Sequence, residues 1–264
     1  MSDQPSHTVY HQTPAGLVAV GQTNVGKIRQ ANEDSLLIIT EPPALPDVQI
    51  IAAVADGMGG HVGGAIASST AVDSLEQYIR NLPGSANLPT SLAETLEQAI
   101  KDANQVIQSQ AAEKGLHGMG TTMTAAMVGT TSAVIANVGD SRAYLLRNGL
   151  LAQVTEDHSL VGEQVRKGLL PKEALETHPQ RNILTRALGI APQVVVDIFH
   201  VELEPADTIL LCSDGLYPVV EHKDIGMMLS NNTSQDACRH LIEAANTRGG
   251  PDNTTVIIIQ VPHG

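Results

Sequence analysis

A chain of 264 residues with 42% apolar and 16% charged side chains is long enough to bury a sizeable core and too apolar to stay disordered. Aromatic residues make up 2%, Trp is absent and the formal net charge is -13, so neither base-stacking platforms nor a polyanion-binding face is expected, which argues against nucleic acid as a partner. No apolar run approaches the roughly 20 residues of a membrane span, and Met1 to Gln12 has no apolar signal core, which points to a cytoplasmic protein without a membrane partner. Residues 1–16 read as an N-terminal extension and 17–262 as one domain. Short runs rich in β-branched residues predict strands at 36–39 and 48–55. Helical spacing follows at 64–82 and 91–113, with Gly and Pro marking a loop at 81–89. Further strands are expected at 133–138, 194–201, 208–212 and 256–261, and a late helix at 234–246 capped by Thr233 or Ser234. The weakly apolar stretch 158–189, with Pro171 placed to open a short helix, reads as a lid. Cys212 lies inside an apolar run, and no disulfide with Cys238 is expected. Strands grouped around two long helices indicate an α+β fold, not a βαβ alternation.

The acidic residues fall where these strands end. Asp56 directly follows the apolar run 50–55, and Asp214 follows 209–213. Asp140 closes the strand 133–138, Asp252 opens the last strand, and Glu33 and Asp34 precede the first. A single Asp-Gly is an ordinary turn dipeptide. Turns do not explain why two separate, wholly apolar strands each run straight into an aspartate. Carboxylates brought to one sheet edge raise one another's pKa, and divalent cations relieve that repulsion. An all-oxygen ligand set suits Mg2+ or Mn2+ better than zinc. Two such ions can activate water and clamp a phosphoryl group. Arg29, four residues before Glu33, is the natural phosphate ligand, although alone it would read as a surface arginine.

Six strings carry a resemblance: Gly26-x-x-Arg29-x-x-Asn32-Glu33-Asp34, Ala55-Asp56-Gly57-Met58-Gly59-Gly60-His61, Gly118-Met119-Gly120-Thr121-Thr122, Val138-Gly139-Asp140-Ser141-Arg142, Leu211-Cys212-Ser213-Asp214-Gly215-Leu216 and Gly249-Gly250-Pro251-Asp252-Asn253. Together, and in this order, they resemble the metal-dependent protein phosphatases of type 2C (PPM), particularly the compact bacterial members. The resemblance implies a four-layer α/β/β/α sandwich, two antiparallel sheets flanked by helix pairs. It implies hydrolysis of phosphoserine and phosphothreonine in proteins, by water bridging two Mn2+ or Mg2+ ions. Partners would be phosphorylated proteins, Ser/Thr kinases and their substrates, and the chain is expected to be a monomer. Asp56 would bridge the ions and Asp214 and Asp252 complete the first site. Glu33 and the Gly57 carbonyl would serve the second, Asp34 would orient water, and Arg29 would hold phosphate.

The sequence departs from that pattern twice. Bacterial relatives often hold a third, weaker metal between the residue matching Asp140 and an Asp four residues after the one matching Asp214, where this chain has Pro218. Asp140 is kept as a ligand to a third, weak site. Animal relatives place a His after the Asp-Gly pair as general acid; here that position is Met58, and His61 is the nearest candidate. In the lid, Arg181 and Arg186 are candidates to meet substrate charge. Two other readings stay open at this level: a catalytically weak regulatory module that binds phosphoproteins, and a phosphatase of small phosphate esters.

Overall fold

The computed structural model describes residues 7–40, 42, 44, 45, 47–59, 61–83 and 91–263. In chain order the first elements are β1 (His7–Gln12), β2 (Val18–Asn24), β3 (Asp34–Thr40), β4 (Ile50–Met58), α1 (His61–Arg80) and α2 (Leu92–Lys114). There follow β5 (Gly120–Thr121), β6 (Met123–Val128), β7 (Ser132–Val138), β8 (Arg142–Arg147), β9 (Leu150–Gln153), α3 (Leu160–Arg166) and α4 (Ala174–Thr177). The chain closes with β10 (Asp197–Glu202), β11 (Thr208–Cys212), α5 (His222–Asn231), α6 (Ser234–Thr247) and β12 (Thr254–Gln260).

One sheet has the order β1-β2-β12-β11-β8-β9 and the other β10-β7-β6-β4-β3, with β5 paired to the end of β4. Each strand pairing is antiparallel. The alternation along each central strand assigns the layers. Ile50, Ala52 and Val54 of β4 meet Leu211, Ile257 and Ile259 between the sheets. Ile51, Ala53 and Ala55 face the other way, onto Ala71, Leu75, Leu96 and Ile100 of α1 and α2. In the first sheet Leu210 and Cys212 point outward to Ile225, Leu229, Leu241 and Ile242 of α5 and α6. Strands buried on both faces must be apolar at every position, and this is why they read as unbroken hydrophobic runs. The result is the expected α/β/β/α sandwich.

Local chemistry sets the helix ends. Ser91 caps α2 by accepting from the Glu94 N–H at 3.2 Å, and Gly115 closes it in the left-handed conformation. Thr233 caps α6 by accepting from the Asp236 N–H. Differences from the sequence reading fall on elements without a strong apolar period. β1 lies inside the stretch read as an extension and is an edge strand defined by its pairing to β2. β6 is buried at all six positions but is built of Met, Thr, Ala and Val, of which Ala and Met carry no strand preference. β2, β5, β8, β9 and α5 were likewise not expected, and β10 starts at Asp197 rather than 194. Residues 84–90, most of the loop expected at 81–89, lie outside the described residues.

Leu211 is completely buried between the sheets. Leu211→Ala is expected to lower the unfolding free energy by about 2–5 kcal/mol, read as a lower denaturant midpoint at unchanged slope.

Candidate active site

The two sheets deliver their acidic residues to one edge. Asp34 opens β3 opposite Asp56, its register partner near the end of β4. Asp140 follows β7, Asp214 follows β11 and Asp252 precedes β12. Asp56, Asp140, Asp214 and Asp252 line a cleft of about 510 Å³, with Arg29, Glu33, Gly57 and Thr122. Asn182 and Leu184 from the stretch read as a lid complete its wall.

Asp56, Glu33 and Asp34 are fixed by small polar groups, and the Asp140 turn by a tyrosine and an arginine. Thr122 Oγ1 accepts from the Asp56 N–H at 3.0 Å, while Thr121 Oγ1 and the Thr122 N–H donate to the Asp56 carbonyl at 2.8 and 2.9 Å. Asn253 clamps the loop that carries Arg29 and Glu33. Its Oδ1 accepts from the Glu33 N–H at 2.7 Å, and its Nδ2 donates to the carbonyls of Val25 and Ala31. Ser213 and Thr255 each donate a hydroxyl to Asp34 Oδ2 at 2.7 Å. Behind Asp140, Tyr217 donates to its carbonyl at 3.0 Å. Arg142 lies 3.5 Å over the Tyr217 ring and is held by Asp157 through two buried hydrogen bonds. Gly64 has no room for a side chain: a Cβ there would collide with Glu33 Oε2 and the Gly57 backbone, so α1 begins directly against the acidic loop.

Burial combined with like charge dominates the electrostatics. Burial pushes Asp56 well above the carboxylate range, and Asp34, Asp214 and Asp140 push it further. Asp140 is raised by burial and then by Asp214, and Asp214 by burial and then by Asp252. The two neighbours act on each other unequally, Asp214 raising Asp56 further while Asp56 works to lower Asp214. Burial lifts Asp34 to about 7 despite its two hydroxyl partners. Its Oδ1 is buried and has no hydrogen-bond partner among the described residues. At the rim, Arg29 Nη2 donates to Asp252 Oδ2 at 2.6 Å, and this bond raises the guanidinium pKa.

Crowded carboxyls and an unpaired buried oxygen fit hard divalent cations, for which oxygen is the matching donor. Among the described residues no three His, Cys, Asp or Glu side chains form a ready ligand sphere, so an ion here would draw also on water and the Gly57 carbonyl.

Asp34 is not among the residues lining the cleft; it sits behind them, bonded to both flanking strands. His61 opens α1, but its side chain lies outside the described residues. Arg181 has a buried Nε without a hydrogen-bond partner among the described residues, and its charge favours ionised Asp214. Arg186 is bound to Asp197 at 2.6 Å and stands 3.3 Å from His158. Sequence reasoning gave no role to Thr122, Ser213, Thr255 or Asn253. The first, second and fourth lie inside the quoted strings, and Ser213 and Asn253 adjoin Asp214 and Asp252, but nothing local marks the distant groups they bond. Asn182 and Leu184 carry no signal short of the fold.

Residues 29–253 match the family model described as Protein phosphatase 2C. The serine/threonine phosphatase stp of Listeria monocytogenes is 43% identical over 242 residues, covering 90% of this chain and 94% of that protein. The crystal structure of the serine/threonine phosphatase Stp1 from Staphylococcus aureus superposes with a TM-score of 0.84 at 33% identity, covering all of both chains. The catalytic domain of the serine/threonine protein phosphatase PstP, solved in complex with two manganese ions, matches with a TM-score of 0.78 at 32% identity, covering 93% of this chain and 98% of that one. The chain belongs to the protein phosphatase 2C family.

In cation-free protein, a carboxyl with a raised folded-state pKa binds its proton more tightly folded than unfolded. Its stabilising contribution is full below the unfolded pKa near 3.8 and is lost as pH rises through the folded value, about 7 for Asp34. Chelator-stripped protein is therefore expected to lose thermal stability as pH rises from about 4 to 7. Scanning calorimetry across that window checks it; a flat or rising Tm contradicts it.

Proposed function

We propose that the chain is a protein-serine/threonine phosphatase that hydrolyses phosphoserine and phosphothreonine in proteins with two Mn2+ or Mg2+ ions. The carrying observation is the convergence of Asp56, Asp140, Asp214 and Asp252 from four strand ends on a cleft rimmed by Arg29. The manganese in one relative's structure supports the cofactor. The catalytic unit is taken as 17–262, with 158–189 as a flap; Asn182 and Leu184 in the cleft wall support the flap.

In this reading Asp56, Asp214 and Asp252 would hold one ion, and Asp56, Glu33 and the Gly57 carbonyl would hold the other. Asp140 belongs to a weaker third position, whose expected partner is replaced by Pro218. When bound, the ions supply Lewis acidity, acidifying water and drawing charge from the phosphoryl group. Arg29 offers its guanidinium fork to phosphate oxygens in place of Asp252. Asp34, fixed through Oδ2, has Oδ1 left as the acceptor that orients water. Thr121, Thr122 and Asn253 hold Asp56 and Glu33 in place, so the site is organised before substrate arrives.

Phosphoserine and phosphothreonine arise by kinase action, so the enzyme opposes Ser/Thr kinases in signal transduction. We place it in the cytoplasm as a monomer, and the two buried, unpaired cysteines suit a reducing compartment. Among the described residues no helix is long and apolar enough to cross a membrane.

Turnover of p-nitrophenyl phosphate and of a phosphothreonine peptide is expected with Mn2+ or Mg2+ and absent with chelator. Activity that survives chelation contradicts the mechanism, and peptide binding without turnover under every metal condition favours a regulatory module. Asp56→Ala and Asp214→Ala should each cut kcat by at least about a thousandfold. Arg29→Ala should raise KM for phosphopeptide more than it weakens Mn2+ binding; the reverse order in steady-state and calorimetric data would reassign it.

A further inference from the structure

One completely buried side chain joins the flap to the Asp140 turn, and neither the cation site nor the phosphate site uses it. His158 grips the residue before Asp140 twice: its N–H donates to the Gly139 carbonyl at 2.9 Å, and its Nδ1 accepts from the Gly139 N–H at 3.1 Å. A backbone N–H can only donate, so Nδ1 is unprotonated and the ring proton sits on Nε2. Burial lowers the His158 pKa and so favours this neutral ring. Nε2 then donates to Asp197 Oδ2 at 3.0 Å, and the other oxygen of Asp197 accepts from Arg186 Nη1 at 2.6 Å. Although burial opposes it, hydrogen bonds from His158 and Arg186 hold the Asp197 carboxylate below its usual range. Both Arg186 Nη1 and His158 Nε2 are donors, so the Asp197 carboxylate is what keeps them together. The backbone follows the same line, with the Thr185 N–H donating to the His158 carbonyl at 2.8 Å and Ser159 bridged to Leu184 of the cleft wall.

We propose that His158 is a positioning residue that transmits the seating of the flap, through Arg186 and Asp197, to the Gly139 backbone and so to the Asp140 carboxylate. A flap drawn out of place by substrate or partner would pull on Asp197, loosen the His158 ring and relax the turn that aims Asp140. The flap is thereby a lever on cation binding as well as a wall of the cleft. The proposal rests on the phosphatase reading for the choice of cation. If His158 were merely a core residue, a change at the partly exposed Arg186 would leave cation binding alone.

The test is calorimetric titration of the full chain with Mn2+. Arg186→Gln and Asp197→Asn are each measured alone and with Asp140→Ala, with Tm recorded for every variant. In the presence of Asp140, each is expected to weaken Mn2+ binding by at least about threefold; with Ala at 140 the effect should shrink below about twofold. Equal weakening in both backgrounds, or no weakening when Asp140 is present, overturns the proposal. His158→Asn keeps a short acceptor near the Nδ1 position but does not reach Asp197. Mn2+ binding by that variant should be insensitive to Arg186→Gln, and retained sensitivity also overturns the proposal. The phosphatase reading fails separately, through absent turnover of p-nitrophenyl phosphate by wild type that binds Mn2+ normally. Failure of wild type to bind Mn2+ overturns both.

Discussion

The structure depends on one electrostatic conflict: several carboxyl groups are buried at a shared edge, where each makes the ionisation of the others harder. Asp56 shows it directly, desolvated and facing Asp34, Asp214 and Asp140 together. A fold stabilised by about 5–15 kcal/mol in total cannot tolerate several unrelieved buried charges, so protons or cations must accompany them. The site is therefore an intrinsic competition between protons and divalent ions. The conflict is placed where phosphate, itself anionic, must be drawn in.

The scaffold around the conflict is stiff. Asp56 belongs to a strand buried on both faces, and the groups that hold its backbone, Thr121 and Thr122, sit where β5 gives way to β6. Arg29 and Glu33 lie on a loop, yet Asn253 pins that loop to the start of β12 with three hydrogen bonds. The flap wall is tied less directly, through short bridges at Ser159 and Thr121 and the ion pair between Arg186 and Asp197. Rigid ligands beside an adaptable wall suit chemistry that must be invariant on substrates that are not.

Legibility in the sequence followed burial. The runs 50–55 and 209–212 declared themselves because strands covered on both faces have no polar position, and the aspartates after them stood out against that background. β1, β2, β5, β6, β8, β9 and α5 were not legible, since their identity comes from what they pair with or pack on. The acidic residues could be named in advance because chain direction puts strand ends together. Asn253, Ser213 and Thr255 could not, because a hydrogen bond spanning some 180 to 220 positions has no local signature. The joining of Arg186 to Asp197 and His158 likewise exists only once the flap has folded back.

The position of β12 affects how the molecule comes into being. Residues 254–260 form a central strand, flanked by β2 from near the start of the chain and by β11. Until they arrive, β2 has no partner on its inner side and Asp252 is not in place. Closing that gap joins segments more than 200 residues apart, the kind of late, non-local event that slows folding. The acidic edge therefore stays incomplete until β12 is in place, and until then β2 presents an open strand edge on which a chaperone could act.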